Sequence, residues 1–120
     1  MANPFVHIEL MSTDVAKAKA FYGKLFDWKL EDMPMPEMTY TMIQVGEGTG
    51  GGIMKNPMPN APSMWVPYVD VPDLSAATAK AKSLGATVHK ENVDVADHGA
   101  FSIISDPAGG MIGLWQQKRA

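Results

Sequence analysis

The chain repeats itself, and this repeat restricts the folds open to it more than any other feature. Each copy begins at an aspartate, Asp14 or Asp73, and the two lie 59 positions apart. Four apolar residues with helical spacing follow each aspartate: Val15, Ala18, Tyr22 and Leu25 in the first copy, and Leu74, Ala77, Ala81 and Leu84 in the second. Such spacing is typical of one buried helix face. The sequence therefore predicts a duplicated supersecondary unit.

Size and composition narrow the class of protein. With 120 residues the chain has the length of one domain, and either half alone would bury too little surface to be stable. A net charge of −3 gives no indication of a nucleic-acid or membrane partner. The absence of cysteine excludes disulfides, thiolate metal sites and a cysteine nucleophile. Since no segment resembles a signal peptide or membrane span, we expect a soluble cytoplasmic protein.

Strand and helix signals alternate in the same order in both halves. In the first half, strands are predicted at Phe5–Met11, Trp28–Glu31, Tyr40–Val45 and Gly52–Met54, with a loop at Met33–Glu37. In the second half they are predicted at Trp65–Val71, Ala86–Val93, Ala100–Ser105 and Met111–Gln116. The two helices begin at Asp14 and Asp73, and Gly85 ends the second.

These elements predict an α+β fold in one domain, residues 1–120. It would consist of two βαβββ modules, residues 5–54 and 64–117, joined by a proline-rich linker at 55–63. We expect the modules to pair into a curved mixed sheet with a concave cup and with helices on its outer face. Pairing within one chain and pairing across a homodimer both remain open.

Strand parity separates two faces of the predicted sheet. One face is aliphatic and suits helix cover: Ile8, Leu10, Ile43, Val45, Val69, Val71, Ile112 and Leu114. The other mixes polar with large apolar side chains: His7, Glu9, Met11, Tyr40, Met42, Gln44, Val66, Tyr68, Asp70, Met111, Gly113 and Trp115. This mixture is typical of a ligand cleft, and a dimer interface is the alternative. Trp28 and Trp65 are predicted to be structural, and His89 and His98 to lie at the surface.

Three segments resemble the vicinal oxygen chelate superfamily, which includes glyoxalase I, extradiol dioxygenases and bleomycin-resistance proteins. They are HIELMSTDVAKAKAFYGKLFDW, WVPYVDVPDLSAATAKAKSLGA and SDPAGGMIGLWQ. Within the superfamily, the chain resembles small bacterial glyoxalase-like proteins with a DPxGxxIGLWQ-type final strand. The resemblance implies the two-module fold, but not one activity, because this fold hosts several unrelated functions.

In metal-dependent members, the resemblance implies ligands on the first, fourth, fifth and eighth strands. Here those positions fall on His7, Met54 within about one residue, Val66 and Gly113. Valine and glycine cannot coordinate a metal, and a thioether is a poor ligand for hard divalent ions. We therefore expect no cofactor, with a divalent metal held by His7 and Glu9 as the less favoured alternative.

The candidate ligand-binding residues are His7, Glu9, Gln44, Met54, Val66, Tyr68, Gly113 and Trp115. His7 and Glu9 are the candidate catalytic residues, because imidazole and a partly buried carboxylate can both move protons near neutral pH. Tyr68 could orient a ligand through its hydroxyl group, and Trp115 could stack on a planar one.

Three functions fit these residues. The favoured hypothesis is a small-molecule-binding protein of the glyoxalase and bleomycin-resistance type, acting without the metal. The second is a lyase or isomerase that acts on a small carbonyl compound, with His7 and Glu9 as proton-transfer groups. The third is a protein-interaction module.

Overall fold

The computed structural model describes residues 3–34, 39–58, 60–95 and 98–118. The first module comprises β1 (Phe5–Ser12), α1 (Val15–Leu25), β2 (Lys29–Pro34), β3 (Thr39–Gln44) and β4 (Gly51–Lys55). The second comprises β5 (Met64–Asp70), α2 (Leu74–Ser83), β6 (Thr87–Val95), β7 (Gly99–Ser105) and β8 (Met111–Gln117). The predicted α+β class and the duplicated βαβββ module are confirmed. Neither helix in this described part has the length and apolar character that a membrane crossing requires.

The chain forms two compact units. The first unit is His7–Val66, and the second is formed by the described residues from Pro67 onward together with residues 3–6. Strands of the first unit follow the order β2-β3-β4-β1, with β1 and β4 parallel. Strands of the second follow β5-β8-β7-β6, with β5 and β8 parallel. Each unit therefore contains the same arrangement, a parallel pair extended by two antiparallel strands.

Both helices begin where the sequence predicts. Asp14 Oδ1 accepts a hydrogen bond from the Lys17 amide at 3.0 Å, and Asp73 Oδ1 accepts one from the Ala76 amide at 3.0 Å. These carboxylates satisfy amides that the first helical turn leaves without partners. Gly85 follows α2 with a φ of +98°, a left-handed conformation that favours glycine at a helix end.

The predicted helix face is only partly buried. Leu25 and Leu84 are 55% and 67% exposed, because Leu25 is the last residue of α1 and Leu84 lies just beyond α2. Ile8, predicted on the covered face, is also 37% exposed. The core of the first unit consists of Leu10, Ile43 and Ile53, against which α1 packs Val15, Ala18 and Tyr22.

The loop predicted at Met33–Glu37 is wrong at its start, because Met33 and Pro34 belong to β2. Proline is tolerated there since it ends a strand that pairs on one side only, with β3. Residues 35–37 lie outside the described residues.

A polar contact joins α1 to the outer strands of the first unit. Lys19 Nζ lies 2.8 Å from both Asp32 carboxylate oxygens, and Thr41 Oγ1 donates to Asp32 Oδ1 at 2.8 Å. The hydrogen bonds from Lys19 and then Thr41 lower the pKa of the Asp32 carboxyl group. The contact thus favours the ionised form of Asp32.

The second unit uses neutral groups in the corresponding place. Thr78, the counterpart of Lys19 in the repeat, donates from Oγ1 to the Leu74 carbonyl at 2.7 Å and lies 2.9 Å from Ser102 Oγ. Ser102 Oγ also accepts the Asn92 amide at 3.0 Å. Since Thr78 and Ser102 are fully buried, these bonds hold α2 against β6 and β7 from within, while Lys82 of α2 and Glu91 of β6 form an exposed ion pair at 2.8 Å.

We predict that Thr78→Val lowers the free energy of unfolding by about 1–3 kcal/mol, because it removes the partner of a buried hydroxyl group without changing side-chain shape. Urea titration would measure this cost. The matched control is Thr87→Val, an exposed position of β6 that should stay within about 0.5 kcal/mol of wild type. Equal effects of the two substitutions would contradict a role for the buried hydroxyl pair.

Candidate functional site

Three polar side chains of the first unit form a continuous hydrogen-bonded cluster. Tyr40 Oη lies 2.6 Å from His7 Nε2 and donates to Glu9 Oε1 at 2.9 Å. His7 and Glu9 alternate along β1 and so share one face, as the sequence predicts. Tyr40 comes from β3 and was not among the predicted site residues. We call this group the His7–Tyr40–Glu9 cluster.

Gly52 makes room for the cluster. β4 lies between β3 and β1, so the Tyr40 side chain must cross β4 to reach His7 and Glu9. Two strand spacings amount to about 10 Å, so the tyrosine side chain extends along the sheet surface over β4 to reach β1. A β-carbon on Gly52 would collide with the Tyr40 hydroxyl group. The cluster therefore depends on the glycine that pairs with Glu9 in the β1–β4 register.

Burial sets the electrostatics of the cluster. Glu9 is only 7% exposed, and its carboxyl group accepts a hydrogen bond from the Tyr40 hydroxyl group. His7 is partly buried, and desolvation lowers the pKa of its imidazole from the ordinary value of 6.5. The ring is thus neutral at pH 7, with one N–H donor and one acceptor nitrogen.

Three methionines lie on the same face as the cluster. Met54 of β4 is the register partner of Met11 of β1, and Met42 of β3 is the partner of Gly52. Met11 is almost completely buried, while Met42 and Met54 are partly exposed. Because methionine adapts readily to different shapes, these residues provide an adjustable apolar surface beside the polar groups.

The corresponding face of the second unit is aromatic. Tyr68 is 3% exposed and meets Phe101 edge to face, with ring centroids 6.0 Å apart. Gly113 pairs with Tyr68, and a β-carbon on Gly113 would collide with the tyrosine ring. Trp115 is partly buried beside its register partner Phe101. The predicted residues Tyr68, Gly113 and Trp115 thus lie on adjacent paired strands.

Gln44 and Val66, the other two predicted ligand-binding residues, have different surroundings. Gln44 is exposed at the opposite end of β3 from Tyr40. Val66 is completely buried. Their roles, like that of Met54, stay predictions.

The tryptophans and histidines predicted outside the site occupy other surroundings. Trp28 and Trp65 contact the Tyr22 ring, with centroids 5.8 and 5.5 Å away. His89 and His98 are exposed, and His89 Nε2 lies 2.6 Å from Ser105 Oγ. Neither histidine is among the residues of the His7–Tyr40–Glu9 cluster.

The strand registers align the two modules residue by residue. Glu9 pairs with Gly52 in the first unit, and Tyr68, the counterpart of Glu9 in the repeat, pairs with Gly113 in the second. Gly52 is therefore the counterpart of Gly113. Gly52 lies two residues before Met54, and the ligand position near Met54 that the resemblance implies stays a prediction.

These residues do not fit the divalent metal that the resemblance implies. The space for a side chain at Gly52 is filled by the Tyr40 hydroxyl group, and that at Gly113 by the Tyr68 ring. Val66 offers no ligand atom. Among the residues that the structure describes, no group of three or more His, Cys, Asp or Glu side chains could hold a metal ion. A catalytic metal usually needs about three protein ligands.

The two-module α+β fold is that of small glyoxalase-like domains. Residues 5–114 match the family described as the Glyoxalase/Bleomycin resistance protein/Dioxygenase superfamily. The chain belongs to this superfamily.

Curated relatives include the provisionally named glyoxylase CFP32 of Mycobacterium bovis and its counterpart in Mycobacterium tuberculosis. Each is 35% identical to this chain over 118 residues, covering 93% of the chain and 45% of the relative. The chain thus spans about half the length of these curated relatives.

Solved structures of low sequence identity share the fold. The hypothetical protein BH1468 from Bacillus halodurans is 16% identical with a TM-score of 0.73, covering 100% of this chain and 98% of its own. Methylmalonyl-CoA epimerase from Mycobacterium tuberculosis is 15% identical with a TM-score of 0.69, covering 96% and 88%. At these identities the likeness concerns the fold alone.

We predict that His7 titrates below pH 6.5 in the folded protein, because burial disfavours imidazolium. The unfolded chain then binds more protons below pH 6.5, so stability falls as pH decreases through the folded pKa. Proton NMR would follow the titration, with the signal assigned by its loss in His7→Asn. The same variant should lack this part of the pH dependence of unfolding. A His7 midpoint at or above 6.5 would contradict the prediction.

Proposed function

We propose that this protein binds a small organic molecule at the His7–Tyr40–Glu9 cluster, through hydrogen bonds and without a divalent metal. The observation that carries the proposal is that Tyr40, whose hydroxyl group lies over Gly52, connects His7 to Glu9 through two hydrogen bonds. The first unit thus offers hydrogen-bonding groups on this face, but not a complete set of metal ligands.

The surroundings of the cluster support a ligand that is partly apolar. Met42 and Met54 are partly exposed on the same face, and methionine sulfur makes favourable contacts with aromatic rings. The neutral imidazole of His7 can exchange hydrogen bonds with an uncharged group. An uncharged ligand also suits Glu9, because a second negative charge beside this buried carboxyl group would be repelled whenever the group is ionised. The proposed ligand is therefore small, uncharged and part apolar.

Protein purified without added metal tests whether the site works without a divalent ion. We expect elemental analysis to show no stoichiometric divalent ion, and calorimetric titration with Zn²⁺ or Ni²⁺ to show no one-to-one binding, since one histidine and one carboxylate form an incomplete ligand set. One ion per chain, lost in His7→Ala, would overturn the metal-independent part of the proposal. Ion binding that His7→Ala retains would instead be assigned to another part of the chain.

A second function is favoured by the same hydrogen bonds. A lyase or isomerase acting on a small carbonyl compound needs a base that removes a proton from carbon, and His7 and Glu9 are connected through Tyr40. We expect the protein to exchange the carbon-bound hydrogens of hydroxyacetone with D₂O if it has this activity. His7→Asn and Glu9→Gln should then each slow the exchange by about 100-fold, measured by proton NMR. Equal rates in these variants and the wild type would exclude the two residues as the proton-transfer groups.

The proposal also includes a homodimer in the cytoplasm. Large apolar side chains are exposed in both units, among them Phe5 at 58% and Phe21 at 58%. Exposed apolar surface of this kind often marks a protein interface. Sedimentation equilibrium would show a particle of about twice the 13.0 kDa chain mass, and a monomer at micromolar concentration would contradict the dimer.

A further inference from the structure

A cavity of about 590 Å³ opens in the second unit beneath the first turn of α2, and its volume is typical of small-molecule sites. Its floor is a row of three paired residues. Gln116 of β8 pairs with Ala100 of β7, and Ala100 pairs with Asp94 of β6, so the three side chains share one face of the sheet. Because alanine is small, the row forms a depression between two polar side chains. We call it the Gln116–Ala100–Asp94 cleft.

The hydrogen-bonding direction of Gln116 is fixed. Its Oε1 atom accepts the Leu74 amide at 2.7 Å, and a backbone amide can only donate, so the side-chain oxygen and nitrogen cannot be exchanged. The nitrogen, Nε2, has no hydrogen-bond partner among the described residues and is not sealed from solvent. Gln116 therefore offers two N–H donors on its wall of the cleft.

Asp94 forms the opposite wall, on the edge strand β6. Its carboxylate is exposed and takes part in neither an ion pair nor a hydrogen bond with the part of the chain that the structure describes. A carboxylate accepts hydrogen bonds and does not donate them. The cleft thus has donors on one wall and acceptors on the other.

A third polar side chain is held at the cleft by an unusual backbone. Asn92 lines the cavity, lies where the β6–β7 register shifts between Lys90 and Val93, and has a φ of +48°. This left-handed conformation is uncommon outside glycine, and a bulge in a strand often redirects a side chain beside a binding site. The buried Ser102 Oγ accepts the Asn92 amide at 3.0 Å and so supports this conformation from the core.

We propose that the cleft binds a single uncharged ring that carries several hydroxyl groups, such as a hexose or a cyclitol. A hydroxyl group both donates and accepts, so one ring can accept from Gln116 Nε2 and donate to the Asp94 carboxylate at its opposite edges. The backbones of these two residues are two strand spacings apart, about 10 Å, which leaves room for one ring between their side chains. The ring would lie over Ala100.

The charges of the lining favour a neutral ligand. The cavity is lined by two carboxylates, Asp73 and Asp94, and one ammonium group, Lys118, so an anion would meet more negative than positive charge. A metal ion or an ammonium group would meet the N–H donors of Gln116 on the opposite wall instead of acceptors. A neutral ring with donors and acceptors avoids both conflicts.

The matching place in the first unit lacks this arrangement. Since Gly52 corresponds to Gly113, the strand registers make Thr39 the counterpart of Ala100, and Thr39 pairs with Pro34. Proline has no side-chain hydrogen-bonding group, and threonine is larger than alanine. The cleft is therefore a feature of the second unit, and it shares no residue with the His7–Tyr40–Glu9 cluster.

NMR titration of the ¹⁵N-labelled protein tests the ligand class. The probes are methyl glucoside, methyl galactoside, methyl mannoside and myo-inositol, and cyclohexanol is the matched ring with a single hydroxyl group. We expect a polyol to shift the backbone amide signals of Asp94, Ala100 and Gln116 with a millimolar dissociation constant, and cyclohexanol to leave them unchanged. No shift with any polyol, equal shifts with cyclohexanol, or shifts confined to the first unit would overturn the proposal.

Filling the depression locates the site. Ala100→Leu should abolish the polyol shifts, because the larger side chain occupies the place of the ring. The matched control is Thr39→Leu, which introduces the same side chain at the exposed counterpart position of the first unit and should retain them. Wild-type polyol binding by a folded Ala100→Leu protein would overturn the assignment of the cleft.

Gln116→Glu changes the hydrogen bonding without filling the cleft. The glutamate keeps an oxygen for the Leu74 amide but replaces the Nε2 donors with a second acceptor. We expect polyol binding to weaken about three- to tenfold, as the loss of one net hydrogen bond gives. Asn60→Asp, which adds the same charge at an exposed position of the first unit, should bind as the wild type does. Unchanged binding by Gln116→Glu would overturn the proposed contact with this wall.

Discussion

The parallel pairing between the first and last strand of each module is the constraint on which the other features depend. Parallel neighbours require a long connection, and in both modules that connection contains the helix and the two antiparallel strands. The register of this pair places a glycine beside Glu9 in one unit and beside Tyr68 in the other. Since a glycine in a strand leaves space above the sheet, each pairing creates a place that an aromatic side chain from a neighbouring strand can occupy.

The sequence predicts the elements that depend on local chemistry. Asp14 and Asp73 are recognisable as helix caps because their side chains act within one turn. The sequence predicts burial less well near the end of a helix. Leu25 and Leu84 continue the apolar spacing, but both are exposed because they lie at helix ends. The buried Thr78 is missed for another reason. Its hydroxyl group forms a hydrogen bond with Ser102, 24 positions away, and no local sequence pattern indicates that contact.

The candidate site shows the same limit. Alternation along β1 places His7 and Glu9 on one face without knowledge of any other strand. Tyr40 is different, because it joins them only after crossing a strand that lies between, and strand order is a property of the whole unit. One local signal was present in the sequence. A glycine inside a strand often marks close approach by another group, and Gly52 could have directed attention to a large side chain on β3.

The two modules share a backbone arrangement but differ in the chemistry of their side chains. Strand order and parallel register are the same in both units, whereas the side chains at matched positions differ: Glu9 corresponds to Tyr68, and Lys19 to Thr78. A repeated backbone requires only that the pairing and helix cover persist, so a side chain can change wherever its new partners are satisfied. In the first unit the mixed face carries a carboxylate, a phenol and an imidazole in hydrogen-bond contact, and in the second it carries packed aromatic rings. The first arrangement connects groups that can hold and pass a proton, and the proposed chemistry is therefore assigned to this copy of the duplicated unit.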